Sequence, residues 1–307
     1  MGTCRSTSLM IGTLFFFTVP QPSAYAEVAA PVWIIDEFVS NEGQVQFDGN
    51  LSYVSSSSKS AKGYHGGYLS LTPTHVIPVL SNVDDVHQQA DRFIAMLGVR
   101  YGLTDATEIG LRATGAWTQT RSYASASTTS STVQDLTFNS ISINGASRLY
   151  QGAQSSVFAF TSIGLLDRVS LRPYRPKNVN FHTFTIGVGG YVVDDPVVFS
   201  LTGSATLSRD VQFADGSYRR GSFFSLAPGI SFLANDRTTL SSGLEFSYQL
   251  ADRFDGRKLH LDRSQTRLSL GVGYAFNEKL TVHGNYWTSM AGLAPDSTAQ
   301  ISFTYKN

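Results

Sequence analysis

Histidine, serine and acidic residues are the side chains of this sequence that could carry out hydrolysis. A nucleophilic hydrolase needs a serine, a histidine and a carboxylate held together, often around a Gly-x-Ser-x-Gly turn. The sequence contains no such turn, no His-x-x-x-His pair, no Walker loop and no cysteine cluster. We therefore expect no catalytic residue, no cofactor and no metal, with an outer-membrane hydrolase kept as an alternative. The six histidines are predicted in loops, at a strand end or in a strand: His65, His75, His87, His260, His182 and His283.

A second set of titratable side chains recurs at alternate positions of regular stretches. If Ile109 and Leu111 face outward, then Glu108 and Arg112 face inward, because side chains alternate faces along a strand. Arginine opposite a carboxylate can form a local ion pair or select passing ions, and both interpretations stay open. Applied along the chain, the alternation predicts these inward, pore-lining residues: Asp48, Arg100, Glu108, Arg112, Arg148, Glu245, Arg267 and His283.

The elements that would position these residues are stretches of roughly ten residues with alternating hydrophobicity. In the stretch 44–53, every odd position except Gly49 is apolar and every even position is polar. A soluble sandwich would bury one such face in a shared core, whereas a transmembrane barrel turns it to lipid. We predict an all-β fold, a single antiparallel up-and-down transmembrane β-barrel of about 12 strands with a short N-terminal helical segment.

Connector lengths support an even strand count. Short turns such as 103–107, 151–153 and 277–279 alternate with long polar connectors predicted near 55–90, 119–136, 167–180, 209–221, 249–263 and 289–296. Short periplasmic turns and long extracellular loops are typical of outer-membrane barrels. The prediction is a multi-pass protein of the bacterial outer membrane with both termini in the periplasm. Pro228 lies inside one predicted strand, where we expect a bulge because proline has no N–H to donate.

The N-terminus has the features of an export signal. Arg5 precedes an apolar run from Leu9 to Val19, and Ala24-Tyr25-Ala26 is a small-residue cleavage site. Cleavage would remove Cys4, the only cysteine. A myristoylation pattern at Gly2 and a lipoprotein at Cys4 fit this context less well. The predicted organisation is a signal peptide over 1–26, an N-terminal periplasmic segment or lumen plug over 27–42, and the barrel over 43–307.

Composition agrees with a barrel. Charged residues make up 15% of the chain, aromatic residues 12%, and the net charge is zero. A neutral chain with scattered basic residues does not indicate a nucleic-acid partner. Aromatic residues cluster at predicted strand ends, as expected of the two girdles at the membrane interfaces.

The segment before the first strand carries an apolar set. Trp33, Ile34 and Phe38 lie within six residues at helical spacing, beside Asp36 and Glu37. We predict a short helix that folds back and plugs the pore, with these three residues against the wall. A periplasmic tail or an additional partial strand are the alternatives.

Three stretches carry a family resemblance. The runs from Arg100 to Leu111, from Gly271 to Leu280 and from Gly292 to Asp296 resemble the outer-membrane transporter family associated with meta-pathway phenol degradation. More distantly, the chain is similar to the barrel that exports functional-amyloid subunits, which has a helical plug. The resemblance implies a transport barrel and brings no catalytic residues.

Together these features predict a channel or transporter that passes small hydrophobic molecules or exports peptides or proteins. A structural or adhesive barrel without transport is the first alternative. The predicted partners are outer-membrane lipid, the transported small molecule or secreted polypeptide, the barrel-assembly machinery and a possible homo-oligomer, with no nucleic acid.

Overall fold

The computed structural model describes residues 39–72, 75–124, 130–169, 176–292 and 297–307. The predicted signal peptide and the plug residues Trp33, Ile34 and Phe38 lie outside the described residues. Among the described residues, no helix is long and apolar enough to cross a membrane. This part of the chain forms 17 strands, which in chain order are β1 (Val45–Thr72), β2 (His75–Thr104), β3 (Thr107–Ala124), β4 (Ser130–Gln151), β5 (Ser155–Val169), β6 (Lys177–Val179), β7 (Thr183–Asp194), β8 (Val197–Ser208), β9 (Val211–Phe213), β10 (Gly216–Arg219), β11 (Phe223–Asn235), β12 (Thr238–Gln249), β13 (Arg253–Phe254), β14 (Arg257–Lys258), β15 (Arg263–Ala275), β16 (Leu280–Gly292) and β17 (Ser297–Lys306).

Twelve of these strands close into one barrel. They pair antiparallel in the order β4-β3-β2-β1-β17-β16-β15-β12-β11-β8-β7-β5, and a β4–β5 pairing completes the ring. Closure pairs the backbone groups that an open edge would expose, which is the condition for a sheet in lipid. The prediction of an antiparallel up-and-down barrel of about 12 strands is confirmed. We call the end with the short turns the turn rim and the opposite end the loop rim.

The two faces of the barrel wall differ sharply in polarity. On β17, Gln300 and Ser302 are 2% and 1% exposed, whereas the residues that follow each of them, Ile301 and Phe303, are 62% and 43% exposed. The same alternation holds along β1, where Asp48 is buried and Leu51 is exposed. An outer apolar band around a polar interior is the pattern of transmembrane barrels.

Aromatic residues on the outer face mark both ends of the apolar band. Near the loop rim, Tyr53, Phe93 and Trp117 form a ladder across β1, β2 and β3, with ring centroids 5.0 and 5.7 Å apart. Near the turn rim, exposed aromatic side chains include Tyr101 and Phe303. The side chains at both ends therefore have the placement predicted for the girdles.

Two long connectors were wrongly predicted as loops. The segment 55–90 is a hairpin, because β1 and β2 stay paired from Val45 opposite Tyr101 to Thr72 opposite His75. Likewise β3 and β4 stay paired up to Tyr123 opposite Ser130, within the predicted loop 119–136. The serine-rich composition of these segments indicated loops. A hairpin pairs its backbone N–H and C=O groups whatever side chains it carries, so the strands can continue beyond the apolar band.

The connectors 209–221 and 249–263 also contain strands. β9, β10, β13 and β14 form a separate four-stranded sheet at the loop rim. The carboxylate of Asp252 fastens it, since Oδ2 accepts from the Tyr218 hydroxyl at 2.9 Å and Oδ1 from the Gly221 N–H at 2.8 Å. Burial and the neighbouring Asp252 charge raise the pKa of Tyr218.

Pro228 lies in β11 without the predicted bulge. The β11–β12 register is the same on both sides of it, with Leu226 opposite Phe246 and Gly229 opposite Gly243. The strand accommodates the missing N–H by losing ladder pairing at 227–228 on the β12 side, while Pro228 stays opposite Leu201 of β8. The bulge prediction was wrong because an interrupted ladder needs no extra residue.

Candidate functional site: the barrel lumen

An ion network occupies the inner wall near the turn rim. The Arg100 guanidinium lies 2.6 Å from Asp48 Oδ2 and 3.2 Å from Glu108 Oε1, and its Nη2 donates to Gln46 Oε1 at 2.6 Å. The three strands β1, β2 and β3 are neighbours, so the inward positions 46, 100 and 108 converge. Gly110 leaves space for the arginine, because a Cβ there would lie 2.9 Å from Arg100 Cγ.

The other predicted inward residues lie elsewhere on the barrel. Glu245 and Arg267 are opposite each other on β12 and β15, and Arg267 Nη2 donates to Glu245 Oε1 at 2.7 Å. His283 is buried on β16, and Arg148 donates to Gln151 at the turn rim at 2.7 Å. Arg112 is half-buried on the same face of β3 as Glu108. The structure thus brings together Asp48, Arg100 and Glu108 in one group and Glu245 with Arg267 in another.

The chain just before β1 turns into the barrel. We call residues 39–44 the inward segment. Its turn is closed by the Gln44 N–H donating to Asn41 O at 3.0 Å, and Gly43 has a φ of 73°, a left-handed conformation that favours glycine. The Gly43 N–H also donates to Gly102 O at 2.9 Å, which holds the turn against β2.

Ser40 fastens the inward segment to the ion network. Its backbone N–H and its hydroxyl both donate to Glu108 Oε2, at 2.9 and 2.7 Å. Bonds to a carboxylate are stronger than neutral ones. The backbone of this segment also passes so close to Gly102 that a Cβ there would collide with the Asn41 carbonyl. A single acidic side chain therefore holds both the Arg100 guanidinium and the entering chain.

Val39 lies in an apolar cluster inside the barrel. The cluster contains Val39, Phe158, Phe160 and Trp287, and Val39 has no exposed surface. Phe158 and Phe160 belong to β5 and Trp287 to β16, strands that stand six places apart in the ring of twelve, on opposite walls. With strands about 4.8 Å apart and tilted about 40°, such a ring is roughly 24 Å across its backbone. Apolar side chains from both walls and the inward segment thus meet in the lumen, and we call this level the constriction.

Two glycines make room for the phenylalanines of the constriction. Gly187 is opposite Phe160 and Gly189 is opposite Phe158 across the β5–β7 ladder. A Cβ at either glycine would collide with the facing ring. The aromatic rings can therefore lie across the wall of the neighbouring strand.

The sequence prediction missed the residues of the constriction. In β5 the side chains of Ser156, Phe158, Phe160 and Ser162 are buried, while Val157 and Ile163 are exposed. Two large apolar residues on each face made the phase of this strand ambiguous. Ser156 and Ser162 lie on the same face of β5 as the two phenylalanines. These polar neighbours are the signal that could have assigned Phe158 and Phe160 to the lumen.

Comparisons with known proteins show the fold and no family. No family model and no curated protein matches the sequence. An outer membrane channel from Pseudomonas putida F1 is similar in structure, with a TM-score of 0.60 at 11% identity over 88% of this chain and 97% of that one. A FadL homologue from Pseudomonas aeruginosa has a TM-score of 0.41 at 12% identity, covering 86% of this chain and 89% of that one. The NanC porin has a TM-score of 0.45 at 10% identity, covering 83% of this chain and 98% of that one. The first similarity shows that this chain has the barrel fold of an outer-membrane channel.

Proposed function

We propose that this protein is a bacterial outer-membrane channel for small molecules whose lumen is closed at rest by the chain that precedes β1. The observation that carries the proposal is the position of the inward segment, with Ser40 bonded to Glu108 and Val39 packed in the constriction. The inner end of this segment, Val39 and Ser40, is held by two hydrogen bonds and one apolar cluster, so it can be displaced while the bond between Gly43 and Gly102 keeps the turn in place. Such an element has the properties of a gate.

The barrel itself supports placement in the outer membrane. Its outer band is apolar, its aromatic residues lie at both ends, and its ring has no open edge. In this placement the turn rim with both ends of the barrel faces the periplasm and the loop rim faces the outside. The gate would then enter from the periplasmic side, where a periplasmic partner or a change at that rim could release it.

The eight inward residues predicted from the sequence would line the path of the solute. Arg100, Asp48 and Glu108 form the periplasmic entrance, and Glu245 with Arg267 lies on the wall formed by β12 and β15. We propose that Trp33, Ile34 and Phe38 extend the closure begun by Val39. Because the described inner wall is rich in hydroxyl, amide and charged groups, it favours small solutes with polar groups over pure hydrocarbons.

Conductance in planar bilayers tests the channel directly. Deleting residues 28–41 from the mature protein should raise the single-channel conductance or the open probability, while heat-modifiable migration on a detergent gel stays normal. Normal assembly without any current, in the intact protein and in the deletion, would instead favour a structural or adhesive barrel.

A further inference from the structure

A strip of buried polar side chains without hydrogen-bond partners lies on the inner wall beside the constriction. Within the described residues, no partner is found for Asn50 Nδ2, Asn285 Nδ2, Ser302 Oγ and both polar atoms of the Gln300 amide. These four residues are between 1% and 6% exposed. Buried polar groups are nearly always paired, and an unpaired one costs about 1–3 kcal/mol. Several unpaired groups in one place indicate a site for a polar ligand.

Strand register makes these groups a single surface. Ser302 of β17 is opposite Asn50 of β1, and Gln300, two residues before it on the same face, is opposite Asn285 of β16. The strip therefore covers three neighbouring strands and two adjacent rows. With about 4.8 Å between strands and 3.3 Å per residue, its area is roughly 10 by 7 Å. We call it the amide strip.

The chemistry of the amide strip selects a neutral ligand that both donates and accepts. Three amide NH₂ groups and a hydroxyl can donate, while Gln300 Oε1 can only accept. An anion would find no positive charge among these four residues, and the Asp48 carboxylate one row away on β1 already holds the Arg100 guanidinium. A hydrocarbon would leave every group unpaired. Hydroxyl groups supply donors and acceptors together.

An aromatic ring borders the amide strip. Trp287 follows Asn285 by two residues on the same face of β16 and is buried in the constriction. The C–H faces of sugar rings pack on indole rings while their hydroxyls bond to neighbouring amides. Asn50, Asn285 and Gln300 together with Trp287 supply the amide groups and the aromatic ring that bind a sugar unit, and displacement of Val39 from the constriction would uncover the ring.

We propose that the amide strip is a binding site for a neutral, polyhydroxylated solute of the saccharide class. The proposal rests on the proposed function, because it makes the strip a solute-binding site next to the constriction of the channel. It names a class of cargo that the sequence did not suggest.

Equilibrium binding tests the strip independently of conductance. The probe is maltotriose, titrated by calorimetry into the mature protein in detergent, with trigalacturonate as the charged counterpart. Maltotriose should bind measurably, and Gln300→Leu and Asn285→Leu should each weaken its binding about tenfold or more. Thr202→Val is the matched control, since Thr202 Oγ1 is also buried and unpartnered but lies on β8, across the barrel.

The variants are expected to assemble normally, because replacing an unpaired polar group with an apolar one removes a cost. Ser302→Ala is the smallest change and serves if a leucine variant fails to migrate as a folded barrel. Equal maltotriose affinity in intact protein and strip variants, no binding at all, or tighter binding of trigalacturonate would overturn the proposal. Binding without bilayer current in both the intact protein and the 28–41 deletion would support the strip and refute the channel, whereas current without binding would do the reverse.

Discussion

The hydroxyl of Ser40 offers the most sensitive perturbation of the closed lumen. It donates to Glu108 Oε2 at 2.7 Å and is completely buried. In Ser40→Ala this bond is lost, but the backbone N–H keeps its own bond to the same oxygen at 2.9 Å. A hydrogen bond to a charged group contributes about 1.5–3 kcal/mol. If the bond exists only in the closed state, the ratio of open to closed channels should rise about 10- to 150-fold.

Single-channel recording measures that ratio as an open probability. Ser204→Ala is the matched control, because its hydroxyl bonds to Ser225 Oγ at 2.7 Å on the wall formed by β8 and β11. The control should behave as the intact protein. Glu108→Gln, which removes the charge at the acceptor, should raise the open probability as Ser40→Ala does. Unchanged open probability in both variants, with normal assembly, would refute the role of this contact in closure.

Three further predictions concern other parts of the wall. Gly102→Ala should displace the inward segment and raise the open probability. Gly98→Ala on the same strand should have no such effect, because its Cβ would lie 3.5 Å from the nearest atom, an ordinary contact distance. Leu111→Arg on the outer face should cost about 2–4 kcal/mol in lipid and reduce the folded fraction in assembly assays, unlike Arg112→Leu. His182, in the turn before β7, has a pKa lowered to about 4 by burial and by the nearby Arg220 charge. Its unfolded form takes up a proton below about pH 6.5, so stability should fall from pH 6.5 towards 4, by at most roughly 3 kcal/mol, and thermal melts of His182→Asn should show a weaker pH dependence. An equally steep dependence in that variant would show that other groups carry it.

The barrel could be predicted from the sequence because alternation and turn chemistry are local signals. The two faces of β3 follow directly from Glu108 to Arg112, and the turn lengths supply the strand count. The lengths of β1 to β4 could not be predicted, since pairing beyond the apolar band depends on the neighbouring strand. The 28 residues of β1 include a serine-rich stretch that composition alone assigns to a loop.

Alternation along the strands also predicts which residues of the site face inward, but it does not predict which of them are in contact. Asp48, Arg100 and Glu108 were each predicted to face inward, and the register of three strands decides that they meet. That Glu108 would bond Ser40 depends on the turn at Gly43, which reverses the chain into the barrel. A backbone reversal of this kind leaves no periodic pattern in the sequence.

The most direct test of the gate is to lock it chemically. Because Cys4, the only cysteine, lies in the predicted signal peptide, cysteines can be placed at Val39 and Trp287, both in the constriction, and joined by a short bifunctional thiol reagent that reduction cleaves. We expect the crosslinked protein to conduct little and reduction to restore the current. The conductance of either single cysteine variant should not change when the reagent is added. Full conductance while the crosslink is intact, verified by mass spectrometry, would show that ions pass without movement of the inward segment and would contradict the account.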